Sequence, residues 1–200
     1  MEQFPQVKYA IQNHCKVDFR ALAQHYDLNT NLIDVTIDIA ITAFFATHYY
    51  DSKKNEYSIE EDGTGCLRVY SNIMIEYKED QPFRMIGLQP FQRPGLQCAF
   101  EVKMSRGENL ANFYHKVLFK QSSKWNQKLH DPFYLNGKNI LFSDEEIADV
   151  AKIIKESMAV SKWATERYCD INGISENQVI HLLNDKGFTV VENLNYKLSR

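Results

Sequence analysis

The feature that most constrains the fold is a change of hydrophobic period part-way along the chain. Between residues 66 and 104 lie four short runs, CLRVYS, IMIEYK, FRMIGLQ and LQCAFEVKM, rich in β-branched, aromatic and other apolar residues. Turn formers part them, among them Asp80-Gln-Pro82 and Arg93-Pro94-Gly95. Short strands joined by turns rather than by helices predict a mostly antiparallel sheet. On either side of these runs the apolar residues recur at helical spacing. The chain therefore reads as α+β, a mostly antiparallel sheet flanked by helices.

Residues 5–28, PQVKYAIQNHCKVDFRALAQHYDL, predict one helix that stops near Tyr26-Asp27. Pro5 falls in its first turn, and Val7, Tyr9, Ile11, Phe19, Leu22 and Ala23 supply its apolar face. TNLIDVT predicts a brief strand, after which Asp34, Thr36 or Asp38 can cap the helix IDIAITAFFATHYY. Ile39, Ala40, Ala43 and Phe44 are its expected core residues. The charged segment 51–65 reads as an exposed loop, and ENLANFYHKVLFK as a helix. In PFYLNGKNILFS the pair Asn136-Gly137 predicts a hairpin. Residues 143–171 read as the clearest helix, with Ser143 as N-cap and Glu146 completing a capping box. A helix over SENQVIHLLNDKG and a hairpin over FTVVENLNYKLS close the chain. The expected division is a domain over 1–157 and a helix-plus-hairpin extension over 158–200.

Composition excludes several functions. The 200 residues are 44% hydrophobic and 12% aromatic, with a formal net charge of -3, so neither disorder nor a generally basic nucleic-acid binder is indicated. The tail resembles part of a winged helix, yet from Asp144 onward it carries seven Lys/Arg against ten Asp/Glu. A packing or protein-contact role suits that charge better than DNA reading. Cys15, Cys66, Cys98 and Cys169 form no CxxC pair and read as reduced thiols. His14, His48, His115, His130 and His181 fall at no metal-ligand spacing. Gly63-Thr-Gly65 lacks the Lys-Ser/Thr pair and following helix of a phosphate loop. The start MEQFPQVKYA is unlike a signal peptide, and no apolar run reaches the length of a membrane span, so a soluble, cytoplasmic protein is expected.

The run ALAQHYDLNTNLIDVTIDIAITAFFA, residues 21–46, punctuates apolar segments with polar residues. Such residues are either helix caps or a pocket wall. Gln24, His25, Tyr26, Leu28, Thr30, Leu32, Ile33, Asp34, Thr36, Ala43, Phe44, Phe45 and Ala46 follow a fixed spacing that resembles the FRG-domain family. There a helix ends in Gln-His-aromatic-Gly, Pro-Thr-Arg-Leu-Leu-Asp-Trp-Thr follows, and a small apolar helix ends in Phe-Ala. A second patch, RPGLQCAF, offers Arg93, Gln97, Ala99 and Phe100 at positions similar to a later family segment, and ILFSDEEIADVAKIIKES resembles its acidic closing helix. The chain departs from the pattern at Asp27 (Gly in the family), Asn29 (Pro), Asn31 (Arg) and Val35 (Trp). The Phe-Arg-Gly strand that names the family belongs well upstream of Gln24. Here Phe19-Arg20 falls inside a helix without the Gly, so the naming arginine is missing: the copy is N-terminally incomplete, has degenerated, or takes that arginine from another chain.

The resemblance extends to ADP-ribosyltransferases, whose middle motif is a strand with Ser/Asp-x-Thr/Ser before a helix ending Phe-Ala. It implies NAD as substrate, with Asp34 and Thr36 in the middle motif and Gln97 or Glu101 in the late position. Gln24, His25, Tyr26, Thr30 and Arg93 would line the cofactor pocket. It further implies a toxin or phage-defence effector, with a nucleic acid or protein as acceptor and a partner protein or antitoxin as regulator, and no membrane. Breaking the N-glycosidic bond builds positive charge on the ribose, which a nearby carboxylate stabilises. Each residue also has a structural reading. In it Gln24 and His25 close a helix end, Asp34 or Thr36 is a plain cap, Arg93 is a solvated turn residue, and Gln97 is an amide on an apolar strand that must find partners. The alternative to an enzyme is an inactive binding or regulatory module completed by a partner chain.

Overall fold

A computed structural model describes residues 4–51, 54, 56–70, 83–86, 89–104, 107, 115–142 and 145–193. The chain divides into two compact units: residues 1–25 with 29–144, and residues 26–28 with 145–200.

The first unit opens with α1 (Pro5–Gln12), where Pro5 sits at the first helical position and Val7 and Ala10 are buried. The expected single helix breaks after Gln12. Asn13 turns its Nδ2 back to the Tyr9 carbonyl at 2.8 Å, and His14 takes a left-handed conformation (φ 58°). Tyr9 and Ile11 are consequently exposed. The chain re-enters helix at α2 (Phe19–His25), started by Asp18, whose Oδ1 accepts from the Ala21 amide at 3.0 Å. Ala21 and Leu22 are fully buried.

β1 (Leu32–Thr36) forms as expected, and Asp38 is the residue that caps α3 (Ile39–Thr47), accepting from the amides of Ala40 (2.7 Å) and Ile41 (3.1 Å). That start directs Ile41 and Phe44 inward and leaves Ile39 (81% exposed) and Ala40 outside, correcting the expected core face. The expected helix stops at Thr47: its last three residues, 48–50, open β2 (His48–Asp51), which pairs as an antiparallel ribbon with β3 (Glu56–Ile59) from the segment read as an exposed loop. Tyr57 draws β3 inward by stacking on Phe142, with ring centroids 4.5 Å apart. β4 (Thr64–Val69) follows, then β5 (Phe83–Met85), the short helix α4 (Gln92–Leu96) and β6 (Ala99–Lys103). The expected strand IMIEYK lies outside the described residues.

β1, β6 and β5 form a three-stranded antiparallel sheet with β6 in the middle. β7 (His115–Lys120) pairs antiparallel with β4, so this end of the expected helix ENLANFYHKVLFK is strand; residues 108–114 are outside the description. Its Phe119 ring lies across Gly65, the partner residue, a pairing that sequence spacing alone does not reveal. Helix α5 (Ser123–His130) follows. Next come β8 (Tyr134–Leu135) and β9 (Lys138–Asn139), joined by Asn136-Gly137 with φ of 52° and 77°. Positive φ at both central residues is the type I′ hairpin that this dipeptide predicts.

The second unit holds α6 (Glu145–Ser157), β10 (Ala159–Ser161), α7 (Lys162–Asn172), α8 (Glu176–Asp185) and β11 (Thr189–Val191). The long helix expected over 143–171 is interrupted: Met158 adopts φ 48°, three residues become strand, and Ser161 caps a new helix through the Ala164 amide. Gly173 ends α7 in the left-handed region, and Ser175 with Gln178 forms the capping box of α8. β11 pairs in parallel with β10. The remainder of the expected closing hairpin, residues 194–200, and the expected cap Ser143 lie outside the described residues. Among the described residues no helix is long and apolar enough to cross a membrane.

Candidate functional site

Antiparallel register places Asp34 of β1 opposite Glu101 of β6, and Arg84 of β5 opposite Glu101 from the other side. Directly opposed residues project from the same face of a sheet, so three charged side chains make one row across all three strands. Sequence reasoning singled out two of them and missed Arg84, because its strand pairing, seventeen residues from Glu101, carries no local signal.

Helix α2 brings its last residue to that row. His25 Nε2 lies 3.6 Å from Asp34 Oδ1, with the imidazole 1% exposed and the Asp34 side chain 37% exposed. Neither His25 Nε2 nor Glu101 Oε2, both buried, has a hydrogen-bond partner. Burial, opposed by a hydrogen bond that the ring can donate to Gln97 and aided by the charge of Arg93, lowers the His25 pKa from 6.5 to about 4. Burial and then the charge of Glu101 raise Asp34 from 3.8 to about 7. The 3.6 Å contact therefore joins a neutral imidazole to a carboxyl that keeps its proton far above the usual carboxylate range. Glu101 is itself raised by burial, against the pull of Arg84, which donates from Nε to Oε1 at 2.5 Å.

The other predicted residues are placed one by one. Thr30 donates to Gln24 Oε1 at 2.5 Å while accepting from the Leu32 amide at 3.0 Å, so this pair fastens the turn between α2 and β1. Thr36 Oγ1 accepts from the Asp38 amide at 3.1 Å, shaping the entry to α3. Arg93 is buried, not solvated: it lies in α4, donates from Nη1 to the His25 carbonyl at 2.9 Å, and has its guanidinium 5.2 Å from the Phe142 ring centre. It completes the C-terminus of α2. Gln97 is at the C-cap of α4 rather than on a strand, and its buried amide donates to the Leu141 carbonyl at 2.9 Å. Tyr26 is buried and groups with the second unit.

A second polar cluster escaped sequence reasoning. His48 at the start of β2 lies 2.8 Å from the Phe44 carbonyl through Nδ1 and 3.1 Å from His130 Nδ1 through Nε2. A carbonyl can only accept, so His48 Nδ1 carries the proton and His130 Nδ1 donates to His48 Nε2. The two rings continue a stack from Phe44 through His48 and His130 to Tyr134. Eighty-two residues separate the histidines, which no spacing rule could join. Among the described residues no group of three His, Cys, Asp or Glu is arranged to hold a metal ion.

α2, β1 and α3 carry most of the motif residues read between 21 and 46. Here the chain matches the FRG domain, over residues 2–55. The FRG match contains α1 to β2, and with them Gln24, His25, Thr30, Asp34 and Thr36. RPGLQCAF and the helix α6 lie beyond it. No curated protein and no solved structure matches the chain.

Proposed function

We propose that this FRG-domain chain acts on the N-glycosidic bond of NAD, with Asp34 as the working carboxylate. One observation carries the reading: of the two carboxyls in the row Asp34 is the one that solvent reaches, and it titrates near neutrality beside a neutral imidazole. A carboxyl poised there suits proton transfer to or from an acceptor, and its ionised form stabilises positive charge on the ribose. Glu101 lies too deep to meet a substrate. Gln24, Thr30, Thr36, Arg93 and Gln97 shape and hold the walls. Toxin or defence activity, with a nucleic acid or protein as acceptor, is the setting in which such turnover would matter.

The test is NAD consumption by the purified chain against Asp34→Asn and Thr36→Ala. Turnover should rise with pH through about 7, as Asp34 loses its proton, and vanish in Asp34→Asn. A folded wild-type chain that consumes no NAD refutes the enzymatic reading.

The second reading, a binding or regulatory module completed by a partner or antitoxin, is favoured by the arginines. Arg84 is bound to Glu101 and Asp18, and Arg93 to the His25 carbonyl and Phe142. Neither is free to hold a pyrophosphate, so a partner chain would supply that cation.

A further inference from the structure

We propose that Arg84 is the positioning residue of the Asp34 site, holding Glu101 beside Asp34 on one side and tying down the head of α2 on the other. This rests on the reading of Asp34 as the working carboxylate. Arg84 belongs to an edge strand, and its guanidinium, 49% exposed, reaches two carboxylates. Glu101 Oε1 receives both Nε and Nη2. Asp18 Oδ2 receives Nη2, while Asp18 Oδ1 accepts the Ala21 amide in the first turn of α2. The last residue of that same helix is His25, which touches Asp34. One planar cation thus links both neighbours of Asp34: Glu101 directly, and His25 through the length of α2. The guanidinium serves both carboxylates at once, and its positive charge is what keeps the buried Glu101 ionised.

The chemistry of the row follows. Glu101 is 4% exposed, and its Oε2 finds no partner. Without Arg84 a carboxylate so buried has no counter-charge and takes up a proton. Its charge then no longer acts on Asp34. The charged and titratable groups around the row are His25, Arg20 and Asp18 of the α2 segment, Glu101 of β6, Arg84 of β5 and Arg93 of α4. Asp38, which leads into α3, is spent on the amides of Ala40 and Ile41. Of these, only Glu101 stands opposite Asp34 in the sheet, and only Arg84 stands opposite Glu101.

The experiment follows the Asp34 carboxyl by ¹³C NMR in the full chain as pH is varied. Arg84→Gln should lower the Asp34 midpoint by about one pH unit or more, as should Glu101→Gln, since each removes the negative charge beside it. The double variant should fall no further than either single one, because both act through one charge. Arg84→Lys, which keeps the positive charge, should stay near wild type. An unchanged or raised midpoint in Arg84→Gln, or additive falls in the double variant, overturns the proposal. Should Arg84→Gln fail to fold, Arg84→Lys is read against Glu101→Gln, and coincident midpoints in those two overturn it. The titration needs no turnover. Absence of NAD consumption in the wild type would therefore refute the functional reading and leave this result standing on its own. Where turnover is present, its pH profile should move with the Asp34 midpoint.

Discussion

His25 and Asp34 exchange the protonation states they would have in water. The His25 pKa is depressed from 6.5 to about 4, so its stabilising contribution is complete above pH 6.5 and is lost as pH falls through about 4. For an imidazole this buried, a shift of that size corresponds to roughly 3 kcal/mol. Asp34 is raised from 3.8 to about 7, so its contribution is complete below pH 3.8 and is lost as pH rises through about 7. Between about pH 4 and 6.5 the two slopes oppose each other, folding releasing a proton from one group and taking one up on the other. Asp34→Asn removes one slope. Urea unfolding of the variant should show stability falling by up to about 3 kcal/mol as pH drops through that window, with a visibly smaller change in the wild type. Parallel pH profiles for the two proteins would show that the groups do not titrate as described. None of this pairing could be read from spacing, because nine residues and a turn separate His25 from Asp34 and only the packing of α2 on β1 joins them.

Local punctuation was legible wherever the chain carried its own signal. Asn136-Gly137 and Pro5 do in the structure what their chemistry predicts, and of the three caps open to α3 the structure takes Asp38. Misreadings fall where a distant partner decides the element. β7 reads as helix by pattern, yet it forms a ladder with β4 in which Phe119 lies over Gly65. A Cβ at residue 65 would sit 2.1 Å from Phe119 Cζ, so the ring must move if any side chain is added there. Gly65→Ala should destabilise the protein by about 1–3 kcal/mol, as overpacking generally does. Phe119→Leu should recover part of that loss in the double variant, though alone it destabilises. Equal and additive losses in a double-mutant cycle of thermal unfolding would show that the two residues do not meet.

The molecule as a whole is best explained by how far its signals travel. Its class, α+β with mostly antiparallel pairing, was legible because helices and strands differ in period. The FRG match covers one contiguous run, residues 2–55. The row Asp34–Glu101–Arg84 was legible only in part: two members fell within motifs, and the third came from a segment that the sheet alone brings near. The tail shows the limit from the other direction. It folds as α7, a Gly173 turn and α8, two helices joined by a short turn as in the DNA-reading helix pairs. Its charge does not suit that role. α8, ENQVIHLLND, holds no Lys or Arg, and residues 144–200 together carry ten acids to seven bases. Neutralising phosphates releases counterions, and affinity for DNA depends on that release. A helix that presents Glu176 and Asp185 to a groove would repel the backbone it must follow. The full chain should therefore show no salt-dependent retention of duplex DNA in filter binding between about 50 and 200 mM salt, the range over which phosphate contacts weaken most visibly. Binding that weakens steeply across that range would locate a cationic surface the tail's composition does not disclose, and would return this helix pair to nucleic-acid recognition.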